Sequence, residues 1–159
     1  MRLVLRRLPV VGLILLCSFV GGCAAPRREV PAPRAAVAAA AVLRVWDARR
    51  AEAWASGSVS DLRALYVPGS ATGAADVRML RAWRARGLVV ADLRTQLLAV
   101  EVLQHAPGRL RLRVTDRVVA AEATGPGLRL PLPRDGASTY VIVLQRYDEV
   151  WRVRETTAA

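Results

Sequence analysis

The sequence contains no lysine; all 24 of its basic residues are arginine. Such uniformity matches the codon bias of a GC-rich genome, so no single arginine is read as selected over lysine for the fork geometry of its guanidinium. Histidine occurs once, at position 105, and cysteine twice, at positions 17 and 23. Beyond residue 23 there is no thiol to form a disulfide, hold a metal or attack an electrophile, and none for His105 to activate. No metal-ligand spacing and no internal repeat occurs. A long apolar run is missing too. The one pronounced aliphatic stretch, residues 8–20, falls short of the roughly 20 residues that a spanning helix needs.

What stands at the front is a targeting pattern. Arg2, Arg6 and Arg7 precede the aliphatic stretch, and small residues follow it, the order of parts in a secretory signal. Val20-Gly21-Gly22-Cys23 resembles the bacterial lipobox: an aliphatic residue, two small residues and a cysteine. The resemblance implies that residues 1–22 are a signal peptide and that the Cys23 sulfur takes a diacylglycerol. Cys23 then becomes the new N-terminus, and Cys17 leaves with the signal. Small residues suit a cut that needs a narrow, extended backbone beside the thiol. Arg6-Arg7 does not read as a twin-arginine export signal, since Leu5 precedes the pair and Pro9 follows it closely. Residues 23–36 are expected to be a lipid-anchored linker, because three prolines and three arginines among small residues favour an extended spacer. The expected location is the outer face of the bacterial cell membrane, with the membrane engaged through the lipid on Cys23.

About 136 residues follow Cys23, enough for one domain with its own core and no disulfide. Without the three signal arginines the chain keeps 21 arginines against 13 acids, a net charge of +8. A basic balance points to nucleic acid, an anionic membrane or an acidic polymer, and export argues against the first.

Residues 37–55 read as an alanine-rich helix with Val42, Val45, Trp46, Arg49 and Ala53 on one stripe. Gly57 ends it. Ser58 with Asp61 three residues on resembles a capping box opening a short helix through Tyr66, stopped by Pro68-Gly69. Residues 74–86 make a third helix with Gly87 as its C-cap. The period then changes. LVVADL, RTQLLAVEVLQ and RLRLRVTDRVVAAEA read as strands, the last two joined as an antiparallel hairpin by Pro107-Gly108. Residues 124–138 are a turn-rich connection with room for a short edge strand, and residues 139–156 read as a second hairpin turning near Asp148-Glu149. Helices followed by long antiparallel strands predict α+β, with helices on one face of a sheet.

The element order, the Trp46 helix, the Tyr66-Val67-Pro68 break and the closing hairpin with Trp151-Arg152-Val153 resemble the NTF2-like superfamily, which includes ketosteroid isomerase and the polyketide-cyclase (SnoaL) group. The likeness covers about residues 37–155, and the expected NTF2-like domain is residues 37–157. A helix-plus-sheet domain of membrane-associated division proteins is similar. The resemblance implies a curved-sheet cone with a pocket between helices and concave face, and in the enzymes an Asp or His base in apolar surroundings beside a hydrogen-bond donor.

His105, two residues before Pro107-Gly108, reads as an exposed loop histidine. Asp47, followed by Ala48-Arg49-Arg50, reads as a helix-surface partner of an arginine. Asp92 falls at a strand break. Asp116 shares by alternation the apolar face of Leu110, Leu112 and Val114, where a carboxylate is unusual; a bulge after Thr115 or a pairing arginine would turn it outward. Tyr66, Trp83, Tyr140 and Trp151 are candidate ligand contacts, though such aromatics serve cores more often. Arg109, Arg111, Arg113 and Arg117 project to one side of a strand, a basic face suited to an anionic surface or an envelope partner, or simply to solvent with its stems laid over the sheet. It has no interleaved aromatics, which argues against nucleic acid.

No acid–base pair is visible in the sequence, so the preferred expectation is a non-catalytic envelope domain that binds a protein partner or a small apolar ligand, without a cofactor. The alternative is an isomerase- or cyclase-type enzyme with Asp116 as base. Asp116 enclosed beside Tyr140 or Tyr66 in a cavity that admits a small molecule favours the enzyme. A filled pocket and a solvated Asp116 favour the binding domain.

Overall fold

The computed structural model describes residues 32–159; Cys17, Cys23 and the expected signal and lipid-attachment segment lie outside the described residues. Three helices come first: α1 (Ala32–Ser56), α2 (Val59–Ala64) and α3 (Ala71–Ala85). Five strands follow: β1 (Val89–Ala106), β2 (Arg109–Gly125), β3 (Leu128–Pro131), β4 (Ser138–Tyr147) and β5 (Val150–Ala158). The expected α+β order is therefore observed.

Local chemistry sets the helix boundaries. Helix α1 starts at Ala32, five residues before the predicted position, so the end of the expected spacer is helical. Pro33 is tolerated because the first turn has no intrahelical acceptors for its N–H groups, and the alanines that follow favour propagation. Gly57 closes α1 with a left-handed φ of 67°. Ser58 caps α2 by accepting from the Asp61 N–H at 3.3 Å, and Ser70 caps α3 by accepting from the Gly73 N–H at 3.0 Å.

The sheet is antiparallel in the order β1-β2-β4-β5, with β3 on the far end of β2. LVVADL and RTQLLAVEVLQ, predicted as separate strands, are one strand. Asp92 does not break it; with a φ of 54° it occupies an irregularity between Ala91 and Arg94. Further register shifts follow at Leu97/Ala99 and Val102/Gln104. Bulges of this kind bend a strand and increase its twist. The β4–β5 hairpin turns through Asp148 and Glu149, both with positive φ, as a tight turn matched to strand twist requires.

Strand register fixes the two faces of the sheet. Leu110 lies opposite Leu144, Leu112 opposite Ile142 and Val114 opposite Tyr140. These residues meet Leu43, Trp54, Leu62, Val77 and Leu80 from the helices in one core. Leu62, Leu80, Leu112, Leu144 and Val153 have no measurable exposure, and each such side chain contributes about 1.5–3 kcal/mol by leaving water. Of the predicted α1 stripe, Val42, Trp46 and Ala53 pack on the core, but the side that faces it is rotated from the expected one. Val45 and Arg49 face out, while Ala39, Leu43, Ala53 and Trp54 face the core. The Leu65–Val67 segment is tied to β5 by Val67 N–H to Val153 O and Val153 N–H to Leu65 O, each 2.9 Å. That clamp places Tyr66 at the junction of helices and sheet. Among the described residues no helix is long and apolar enough to cross a membrane.

Candidate functional site

A cavity of about 450 Å³ opens between α1, α3 and the concave face of the sheet. Its apolar wall includes Trp46, Val118 and Ile142, and its polar groups come from three directions. Helix α1 supplies Asp47 and Arg50, α3 supplies Asp76, and the sheet supplies Asp116 and Tyr140.

Asp116 keeps the inward side that strand alternation assigns it. No bulge turns it out, and no arginine among the described residues pairs it. Instead the Tyr140 hydroxyl, two positions away on the neighbouring strand, donates to Asp116 Oδ2 at 2.6 Å. The two groups are diagonal neighbours on one face, within reach of a long side chain. Burial, with the hydrogen bond to Asp116 and the charges of Asp116 and Asp47, pushes the Tyr140 hydroxyl well above its usual range, so it remains a donor.

Asp47 corrects the sequence reading. It is half-buried on the cavity wall, and its carboxylate has no hydrogen-bond partner among the described residues. Burial raises its pKa to about 6; the Arg50 charge opposes the shift and the Asp116 charge adds to it. A desolvated carboxylate of that basicity is an effective proton acceptor near neutral pH.

A second network braces the site. Arg50 donates from Nε to Asp76 Oδ2 at 2.7 Å and from Nη2 to Asp76 Oδ1 at 2.8 Å, and the Tyr66 hydroxyl donates to Asp76 Oδ2 at 2.6 Å. Asp76 is buried. Burial opposes the charge on Arg50, but the bonds and charge of Asp76 outweigh it and push its pKa up. Burial, then the Asp76 charge, raises the Tyr66 hydroxyl as well. Trp46 meets the Tyr66 ring edge-on at 5.7 Å and donates from Nε1 to the Leu65 carbonyl at 3.1 Å. Arg50, fixed in this way, is the cation that Asp47 senses.

Of the other sequence candidates, Tyr66 reaches the same cavity, while Trp83 and Trp151 do not. Trp83 packs half-buried against the core with the Arg86 guanidinium 5.6 Å from its ring, and Trp151 lies in a separate shallow groove beside Val42. His105 is exposed near the end of β1. Arg109, Arg111, Arg113 and Arg117 are all exposed. Arg113 pairs with Glu101 at 2.5 Å and Arg117 donates to Gln96 at 2.8 Å. The sequence reading weighs Asp47 as a candidate base but places it on the helix surface, and it does not single out Arg50 or Asp76. A signal existed for the last: Asp76 shares a helical face with Gly73, Val77 and Leu80, where a carboxylate needs a buried partner.

No protein-family model matches the sequence, and no curated protein matches it. Solved structures do. The intermembrane space region of the chloroplast protein ARC6 superposes with a TM-score of 0.52 at 15% identity, over 77% of this chain and 95% of that one. Aln2 from a Streptomyces species gives 0.51 at 18% identity, over 81% and 92%. A point variant of Rv3472 from Mycobacterium tuberculosis, a protein of unknown function, gives 0.52 at 11% identity, over 82% and 75%. The fold is an NTF2-like α+β cone. At these identities the likeness extends to the fold alone.

Proposed function

We propose that the cone cavity takes a small, largely apolar carbonyl compound and shifts a proton on it, as an isomerase or cyclase does. The observation that carries this reading is Asp116 held by Tyr140 on the concave face of a cavity that also contains a basic Asp47 without a hydrogen-bond partner among the described residues. Of the two readings framed from the sequence, these features favour the enzyme. They also move the role of base. Asp116 is already engaged by Tyr140, whereas the Asp47 carboxylate has no hydrogen-bond partner among the described residues and its pKa is raised by burial. Asp47 takes a proton from the carbon next to the carbonyl, the Tyr140 hydroxyl turns its one proton from Asp116 to the developing oxygen charge, and Asp47 returns the proton to carbon. Partial burial of Asp47 in the cavity wall sustains its basicity. The domain is proposed to work outside the cytoplasmic membrane, tethered through Cys23.

The test is α-proton exchange of 2-tetralone in D₂O, followed by NMR with the full chain in neutral detergent. Exchange above the buffer rate, growing through about pH 6 as Asp47 ionises and falling on the order of 100-fold in Asp47→Asn, supports the reading. A saturable change in tryptophan fluorescence with exchange at the buffer rate overturns the catalytic role and returns the domain to ligand binding alone.

A further inference from the structure

Four arginines face one cleft of about 680 Å³ on the helical side of the molecule: Arg63 from α2, Arg78 and Arg81 from α3, and Arg152 from β5. Among the described residues no carboxylate lines this cleft. None of the four makes an ion pair or a side-chain hydrogen bond among the described residues, although five other arginines are paired with acids. Arg152 is the most confined of them. Its guanidinium lies 5.7 Å from the Tyr147 ring, and its Nε–H is buried without a hydrogen-bond partner among the described residues.

Arginine as a residue type carries no weight in a chain without lysine; the uncompensated arrangement does. Like charges brought to one cleft repel, and a buried donor left unmet is costly. An anion in the cleft relieves the repulsion and gives the Arg152 guanidinium a charged partner. The start of α3 adds to the field. Ser70 and Ala71 line the same cleft, and the positive end of the helix dipole favours negative charge there. Ser60 and Ser70 hydroxyls complete the polar rim, while Val67 and Val77 form an apolar floor. Several cations lining one cleft from separate elements suit a multiply charged tetrahedral anion better than a single carboxylate.

We propose that the cleft between α2, α3 and β5 is a binding site for a phosphate-bearing ligand, in which the guanidinium groups of Arg63, Arg78, Arg81 and Arg152 hold the phosphate oxygens. Two sources share this chemistry: a soluble phosphate compound and a phospholipid headgroup.

The experiment is NMR of the arginine Nε–H resonances of the full chain in neutral detergent micelles, at constant ionic strength, titrated with inorganic phosphate. A saturable shift of the Arg152 resonance is expected. It weakens at least about tenfold in the double variant Arg78→Ala with Arg81→Ala and is unchanged in Arg109→Ala with Arg111→Ala. All four substituted side chains are exposed, so both variants keep the fold. A parallel series uses micelles containing phosphatidylglycerol. A shift of the same resonance there assigns the site to a lipid headgroup, and a shift with inorganic phosphate alone assigns it to a soluble phosphate. An Arg152 resonance that neither probe moves, or an equal loss in the Arg109/Arg111 control, overturns the site.

Discussion

Gly73 on α3 lies flat against the Tyr66 ring: a Cβ built on this glycine would sit 2.5 Å from Tyr66 Cγ. The absence of a side chain at position 73 is what lets Tyr66 lie beneath the helix and reach Asp76. Gly73→Ala is expected to destabilise the domain by about 1–3 kcal/mol, because the ring is locked between Trp46 and the helix and cannot retreat freely. Urea denaturation measures this. Unchanged stability would mean that the ring moves aside at little cost.

Asp76, itself buried, neutralises a partly buried Arg50 through two hydrogen bonds. Asp76→Asn removes the charge but little volume and is expected to cost about 3–5 kcal/mol, the scale of stranding one member of a buried pair. Tyr66→Phe, which removes one hydrogen bond to the same carboxylate, is expected to cost about 1.5–3 kcal/mol. Chemical unfolding of both variants checks the ranking, and a larger loss for Tyr66→Phe contradicts the account of the network.

Asp47 makes stability depend on pH in the direction opposite to a salt-bridged carboxylate. Its folded pKa, about 6, lies above its ordinary value of 3.8. Between those values the folded state binds more protons than the unfolded chain, so this residue's contribution is fully present below about pH 4 and is lost as pH rises through 6. Asp47→Asn is therefore expected to be more stable than the parent at about pH 8, by up to about 3 kcal/mol, with the difference shrinking towards about pH 4. Thermal unfolding across that range measures it. A difference that does not vary with pH rules out a raised Asp47.

Leu112 is fully buried on the concave face, opposite Ile142. Leu112→Ala is expected to lose about 2–5 kcal/mol. Arg111→Ala, one position away on the exposed face, is expected to change stability by less than about 0.5 kcal/mol. Paired denaturation curves test the alternation directly, and similar losses at both positions contradict it.

The proposed lipid tether is tested at Cys23. Metabolic labelling with a fatty-acid probe is expected to mark the parent chain and not Cys23→Ala. A labelled variant removes Cys23 as the acyl site.

Much of this architecture was readable in residue order alone. Arg109 to Val114 alternates strictly, and a strand with a two-residue period can bury only one of its faces. Ser58 with Asp61, Gly57, Gly87 and Pro107-Gly108 mark turns and caps through local chemistry that needs no distant partner. Asp116 belongs to the same class, since its inward side follows from the period of its strand. The rotation of α1 was not readable. In an alanine-rich helix many positions contribute little burial energy, so several phases are nearly equivalent to the isolated helix, and only docking on the sheet selects one. That docking turns Val45 and Arg49 to solvent and brings Asp47 and Arg50 to the cavity. The bond from Arg50 to Asp76 spans 26 residues and the bond from Tyr140 to Asp116 spans 24. Local order determines which side chains share a face; which faces meet, and so which carboxylate is shielded from water and which finds a partner, is decided only when helices and sheet pack.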